Sequence, residues 1–149
     1  FFFFYILVVP VVFQHVDLQV TLLAFLLFNL SAGLTVTLAL VSTHVGENQE
    51  FVAMENYNLP YSWEIHQLQT TADFATGNKF ITWFFGGFNH HVAHHIFPGI
   101  SHIHYAAVTP IIKQTTAAFG ITYHESPTLL TAIREHFTLL KIKGLKEEF

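Results

Sequence analysis

Polar residues are rare in the first forty-three positions and frequent after them. Phe1 to Phe13 is an almost unbroken apolar run containing Pro10. Crossing a bilayer takes about 20 residues, so this run reads as the end of a span rather than a whole one. Gln14-His15-Val16-Asp17 is a short polar turn, with His15 at the membrane interface. Leu18 to Val41 is a second apolar run, long enough to cross as a helix. It holds Thr21, Asn29, Ser31, Gly33, Thr35 and Thr37 but no charge. Hydroxyls in such a helix bond back to its own carbonyls, and small residues let neighbouring helices approach. A buried core helix is the rival reading, but 149 residues could scarcely bury two such runs. The pattern therefore predicts a transmembrane helical hairpin over residues 1–43, the end of one span and the whole of a second. The chain opens on Phe within an apolar run and has no marks of a signal peptide. It reads as a fragment whose N-terminal part is missing.

Beyond residue 43 the apolar positions recur at helical spacing. Asn48 to Tyr61 is a polar connector. Ser62 to Thr71 is a short amphipathic helix, anchored by Tyr61 and Trp63 at headgroup level. Asn78 caps a helix that runs unbroken through Phe80, Phe84, Gly87, His91 and His95 and stops before Pro98. The Gly86-Gly87 pair inside it costs about 1 kcal/mol per glycine relative to alanine, which points to a close contact or room for a ligand. Thr109 to Phe119 is a helix with Pro110 in its first turn, Gly120 as its C-cap, and Ile111, Ile112, Thr115, Ala118 and Phe119 as its apolar stripe. Ser126-Pro127 starts the last helix, whose Leu129, Leu130, Ile133, Phe137 and Leu140 face the core. His124 and His136 fall on solvated faces, and His136→Ala is expected to be nearly neutral. Lys141 to Phe149 is a charged tail. The fold class is all-α: an integral membrane helical hairpin, then a helical, His-rich metal-binding domain over residues 44–149. The hairpin returns the chain to the side it came from. All six basic residues lie beyond position 43, which favours a cytoplasmic location for that domain.

Composition supports the membrane reading. Hydrophobic residues make up 52% of the chain and charged residues 11%, against about 25% charged in ordinary soluble domains. A formal charge of −4, with no basic run interleaved with aromatics, argues against a nucleic-acid partner. There is no Cys, which removes thiolate zinc sites. His-Glu-x-x-His is also absent, and with it the zinc-protease motif.

Four of the eleven histidines fall between His90 and His95. On a helix His91, His94 and His95 sit at i, i+3 and i+4 and share one face. His90 lies about 100° away around the axis. Imidazole is neutral near pH 7 and is the commonest side-chain metal ligand. Three buried imidazoles without partners would cost several kcal/mol, a cost that coordination removes. An all-nitrogen site suits iron, copper or zinc, and composition does not choose among them.

The stretch Gly86-Gly87-Phe88-Asn89-His90-His91-Val92-Ala93-His94-His95-Ile96-Phe97-Pro98 resembles the third histidine box of the membrane fatty acid desaturases, His-x-x-His-His. The Gly-Gly before it and the Phe-Pro after it match as well. His91 stands where the front-end subgroup has Gln, which points away from strict membership of that subgroup. The resemblance implies a di-iron centre that uses O2 to introduce a double bond into a fatty acyl chain, with electrons from cytochrome b5 or ferredoxin. It implies His91, His94 and His95 as metal ligands. Ser42-Thr43-His44-Val45-Gly46-Glu47 resembles the segment after the last span, which adds His44. His90, His66, His102 and His104 are expected in supporting positions, with Asp73 and Glu64 as hydrogen-bond partners for imidazole N–H groups. The first two boxes are not in these residues, so the chain alone is expected to be inactive. The implied partners are a fatty acyl substrate, an electron-donor protein and the membrane, either a bacterial plasma membrane or the endoplasmic reticulum. A sister lipid hydroxylase, acetylenase or ketolase, a membrane metal sensor or transporter, and a haem protein are the alternatives.

Overall fold

The computed structural model describes residues 1–47, 49 and 61–146. Most of the connector predicted over 48–61, and the last residues of the tail, lie outside them. The fold is helical, as the periodicity predicts, with one two-residue parallel strand pair. By contact density it divides into residues Phe1–Thr37 and Leu38–Phe149.

In the first unit, a π-helical turn Phe4–Val8 leads into α1, Val9–Phe13. His15 takes a positive φ of 55° in the turn that follows. Asp17 Oδ1 then accepts the Gln19 N–H at 2.8 Å and starts α2, Leu18–His44. The rings of Phe2 and Phe3 lie 6.4 and 6.0 Å from that of Phe25, so the two apolar runs meet as a hairpin. Asn29 and Thr35 bond back to the carbonyls of Phe25 and Ser31, both at 2.8 Å, and so hide their polar atoms within the helix. Among the described residues α2 is the one helix long and apolar enough to cross a membrane.

The second unit takes the end of α2 and everything after it. Its helices are α3 (Trp63–Thr70), α4 (Lys79–Phe84), α5 (His91–Ile96), α6 (Tyr105–Ala118) and α7 (Leu129–Lys146). A 3-10 turn, His102–His104, leads into α6. Strands β1 (Asp73–Phe74) and β2 (Glu125–Ser126) pair in parallel. Leu68, Val92, Ala93, Tyr105 and Ile112 form one core cluster, which joins α3, α5 and α6. Phe74, Ala75 and Ala132 form a second, which joins β1 to α7.

Three sequence expectations change. The single helix from Asn78 to Pro98 is two helices. Asn78 Oδ1 caps α4 as predicted, accepting the Phe80 and Ile81 N–H groups at 3.0 and 3.1 Å. The helix then breaks because Gly86 and Gly87 take φ values of 57° and 83°, a conformation that costs glycine little. A Cβ on Gly87 would lie 3.0 Å from the His102 carbonyl oxygen, so the pair serves a tight turn. Helix α6 starts four residues earlier than predicted and carries Pro110 in its interior. It buries Tyr105, Thr109, Ile112 and Thr116, while Ile111 and Phe119 are exposed. In α7 the buried residues are Ala132 and Leu139; Leu130, Phe137 and Leu140 face out. The apolar positions of both helices exceed what one face can hold.

Candidate metal centre

Helix α5 is only six residues long, and propensity alone would not hold it. Its N-terminal N–H groups need acceptors, and the His90 side chain provides none. Asp73 provides one from β1: its Oδ1 accepts the Val92 N–H at 2.8 Å, and its Oδ2 accepts the Tyr123 hydroxyl. The carboxyl is fully buried, and burial pushes its pKa up to about 7 despite both hydrogen bonds. Phe74 N–H donates to the Asn89 carbonyl at 3.1 Å, and Asn89 Nδ2 returns a bond to the Phe74 carbonyl at 3.2 Å. Strand β1 thus grips the residues on either side of the histidine pair His90-His91. Val92 and Ala93 are wholly buried, the Val side chain contributing about 2 kcal/mol.

Held this way, α5 turns His91 and His95 toward His44, the last residue of α2. His91 Nε2 lies 2.8 Å from His44 Nε2 and 3.0 Å from His95 Nε2. The three nitrogens all fall within 4.8 Å of one another. Ligand nitrogens about 2.1 Å from a metal stand about 3.0 Å apart when cis in an octahedron and about 3.4 Å apart in a tetrahedron. The two short separations match the octahedral edge. Gln67 Oε1 accepts from His95 Nδ1 at 2.6 Å, which leaves the Nε2 lone pair free for a metal. Burial first, then the imidazoles of His95, His44 and His94, lower the His91 pKa to about 2. Burial, then His44 and His94, lowers His95 to about 4. Both rings are therefore neutral at pH 7. The residues fit a cation held by imidazole nitrogens: three ring nitrogens lie within 4.8 Å of one another, and no anionic side chain is among them.

The other predicted residues are arranged differently. His94 is exposed on α5, and its Nδ1 lies 3.0 Å from the Tyr105 hydroxyl. His90 is buried, with Nδ1 2.9 Å from Thr109 Oγ1 and Nε2 3.2 Å from Thr82 Oγ1. Both its nitrogens are thus engaged by hydroxyls. His66 is half-buried, its ring 6.3 Å from that of Tyr61. His102 and His104 are exposed; His102 contributes its carbonyl to the Gly87 turn. Neither Asp73 nor Glu64 meets an imidazole. Asp73 bonds backbone and Tyr123, and Glu64 is exposed. Gln67, Tyr105, Thr82 and Thr109 partner the rings instead. One signal for Asp73 was available: it is the only acidic residue between Glu64 and Glu125.

Residues 1–127 match the family model described as Fatty acid desaturase, and the chain belongs to that family. It is 32% identical over 142 residues to the sn-1 linoleoyl-lipid 6-desaturase of Arthrospira platensis, covering 95% of this chain and 38% of that protein. It is 40% identical over 114 residues to the sn-1 linoleoyl-lipid 6-desaturase of a Synechocystis strain, covering 75% and 32%. It is 33% identical over 144 residues to the acyl-lipid (8-3)-desaturase of Physcomitrium patens, covering 97% and 30%. The chain thus spans about a third of the length of these curated relatives. No solved structure matches it.

Proposed function

We propose that this chain supplies the third-box portion of the di-iron site of a membrane acyl-lipid desaturase. The observation that carries the reading is the convergence of the His44, His91 and His95 Nε2 atoms. When bound, iron supplies the oxidising power, drawn from O2, that no side chain has. The overall reaction balances as follows: the acyl chain loses two hydrogens as two protons and two electrons. A donor such as cytochrome b5 or ferredoxin adds two electrons. With two further protons, O2 becomes two waters.

The chain's own residues bind and orient. His44, His91 and His95 hold one metal through Nε2. His94 is proposed as a further ligand through its Nε2, its Nδ1 being occupied by Tyr105. Ligands from outside this chain complete the site. Gln67 fixes the His95 tautomer, and Thr82 and Thr109 hold His90 beside the box helix. An open apolar cleft of about 460 Å³, with Ile65, Leu68, Ile96, Phe97 and Ile112 among its walls, lies beside the end of α5.

The two-part organisation is proposed as predicted, with residues 1–43 in the bilayer and residues 44–149 on the cytoplasmic side. The relatives' names support an acyl group carried on a lipid and a double bond at position 5 or 6.

The test is expression of the desaturase that carries this chain, with its iron content measured and the lipids of the host profiled. About two irons per protein and a new unsaturated acyl lipid are expected. A retained oxygen in the product would assign the chain to the hydroxylases. Absence of iron would remove the metal reading.

A further inference from the structure

A helix leaves its last carbonyl groups without partners inside the helix. At the end of α2 distant segments supply them. The Thr43 carbonyl accepts the Ala72 N–H at 2.9 Å and Gln49 Nε2 at 2.9 Å. The Val45 carbonyl, one residue past His44, accepts from His136 Nδ1 at 2.8 Å. His136 lies on α7, beyond the residues that the family model matches. It is half-buried and shares a helix face with Ala132 and Leu139, four residues before it and three after, both buried. A carbonyl oxygen can only accept, so this bond fixes the His136 proton on Nδ1. The expectation that His136 lies on a solvated face is therefore corrected.

We propose that His136 is a positioning residue for the metal centre: by holding the Val45 carbonyl it fixes the end of α2 that aims His44 Nε2 at His91. The proposal rests on the reading of His44 as a ligand. Metal ligands must sit within about 0.2 Å of their place, so a small turn of the backbone after His44 would take its Nε2 out of reach. Cations and histidines at a helix C-terminus also favour its exposed carbonyls. Helix α7 would thus serve the site without touching the metal.

The test uses the whole 149-residue chain in detergent, with Co2+ as the probe. Affinity and the d–d spectrum are compared for wild type, His136→Ala, His136→Asn and His44→Ala. The side-chain amide of Asn can place its N–H where Nδ1 stands. His136→Ala should bind Co2+ at least about tenfold more weakly with an altered d–d band, and His136→Asn should stay within about threefold of wild type. A merely structural role would lower the melting temperature and leave the affinity and spectrum of the folded protein unchanged. Wild-type affinity and spectrum in folded His136→Ala would overturn the proposal. So would His136→Asn binding as weakly as His136→Ala. If His136→Ala does not fold, imidazole 15N shifts of the metal-free wild type decide: a proton on Nε2 rather than Nδ1 overturns the proposal. If the wild-type chain does not bind Co2+, binding needs the ligands that lie outside it. In that case the His44 ring shifts of metal-free His136→Ala and His136→Asn carry the test. Movement in the first alone supports the positioning role, and no movement in either overturns it.

Discussion

Helices α2 and α5 use sequence in opposite ways. Helix α2 has 27 residues, eleven of them exposed Leu, Val and Phe. What matters in it is length and lack of charge, so many sequences would serve. Helix α5 has six residues, and three side chains outside it are committed to its backbone or its rings, Asp73, Gln67 and Tyr105, while Thr82 and Thr109 hold the ring of His90 at its N-cap. The first is a solvent-matching element and the second an aiming device. Substitutions should therefore cost little along most of α2 and much around α5, with His44 the point where α2 takes on the stricter rule.

The largest effect is expected at the converging nitrogens. His91→Ala removes the atom that both other Nε2 groups approach. Metal binding by the chain should fall at least about a hundredfold, the upper range for altering a site's support and a lower bound for losing a ligand, as read by isothermal titration. An unchanged affinity would make α5 no more specialised than α2.

Next comes the support of α5. Asp73→Ala leaves the Val92 N–H and the Tyr123 hydroxyl without their buried partner. It should cost about 3 kcal/mol, with Asp73→Asn about 1 kcal/mol, measured by denaturant unfolding of the metal-free chain. Equal, small losses in both variants would show that β1 does not cap the helix. Gly87→Ala should cost about 1–2 kcal/mol in the same assay, because φ is 83° and the new Cβ meets the His102 carbonyl oxygen at 3.0 Å.

A pH series sharpens the contrast further. His95 has a folded pKa of about 4, below the ordinary 6.5, so between these values the unfolded chain takes up a proton that the fold refuses. Its contribution is complete above 6.5 and declines as pH falls toward 4. Metal-free wild type should therefore lose stability relative to His95→Asn over that window. The raised carboxyl of Asp73 works in the other direction but is common to both chains and cancels. A stability difference that stays constant from pH 7 to pH 4 would contradict the buried, neutral ring. At the small end, Leu27→Val on the exposed face of α2 should change stability by less than about 0.5 kcal/mol.

Periodicity made α2 and the existence of the later helices legible, because a long apolar run and a 3.6-residue repeat survive any tertiary context. The box motif marked the site, and two of its three expected ligands, His91 and His95, meet His44, which the segment after the last span suggested. The break between α4 and α5 was legible only as an unexplained cost at Gly86-Gly87: a positive φ shows in sequence as glycine but does not say whether the glycine is used. The roles of Asp73 and His136 depend on partners 19 and 91 positions away, a separation that no local pattern encodes. The faces of α6 and α7 were misjudged for a related reason. Both carry more apolar residues than one face can bury, and the choice among them is made by what packs opposite, α5 for α6 and the β1 segment for α7.

The most direct test of the central claim is X-ray absorption at the iron edge of the purified, iron-loaded chain. The account predicts nitrogen neighbours at about 2.1 Å with the outer-shell scattering of imidazole, diminished in His44→Ala, His91→Ala and His95→Ala alike. Iron bound by oxygen alone, or an imidazole signal unchanged by all three substitutions, would contradict it.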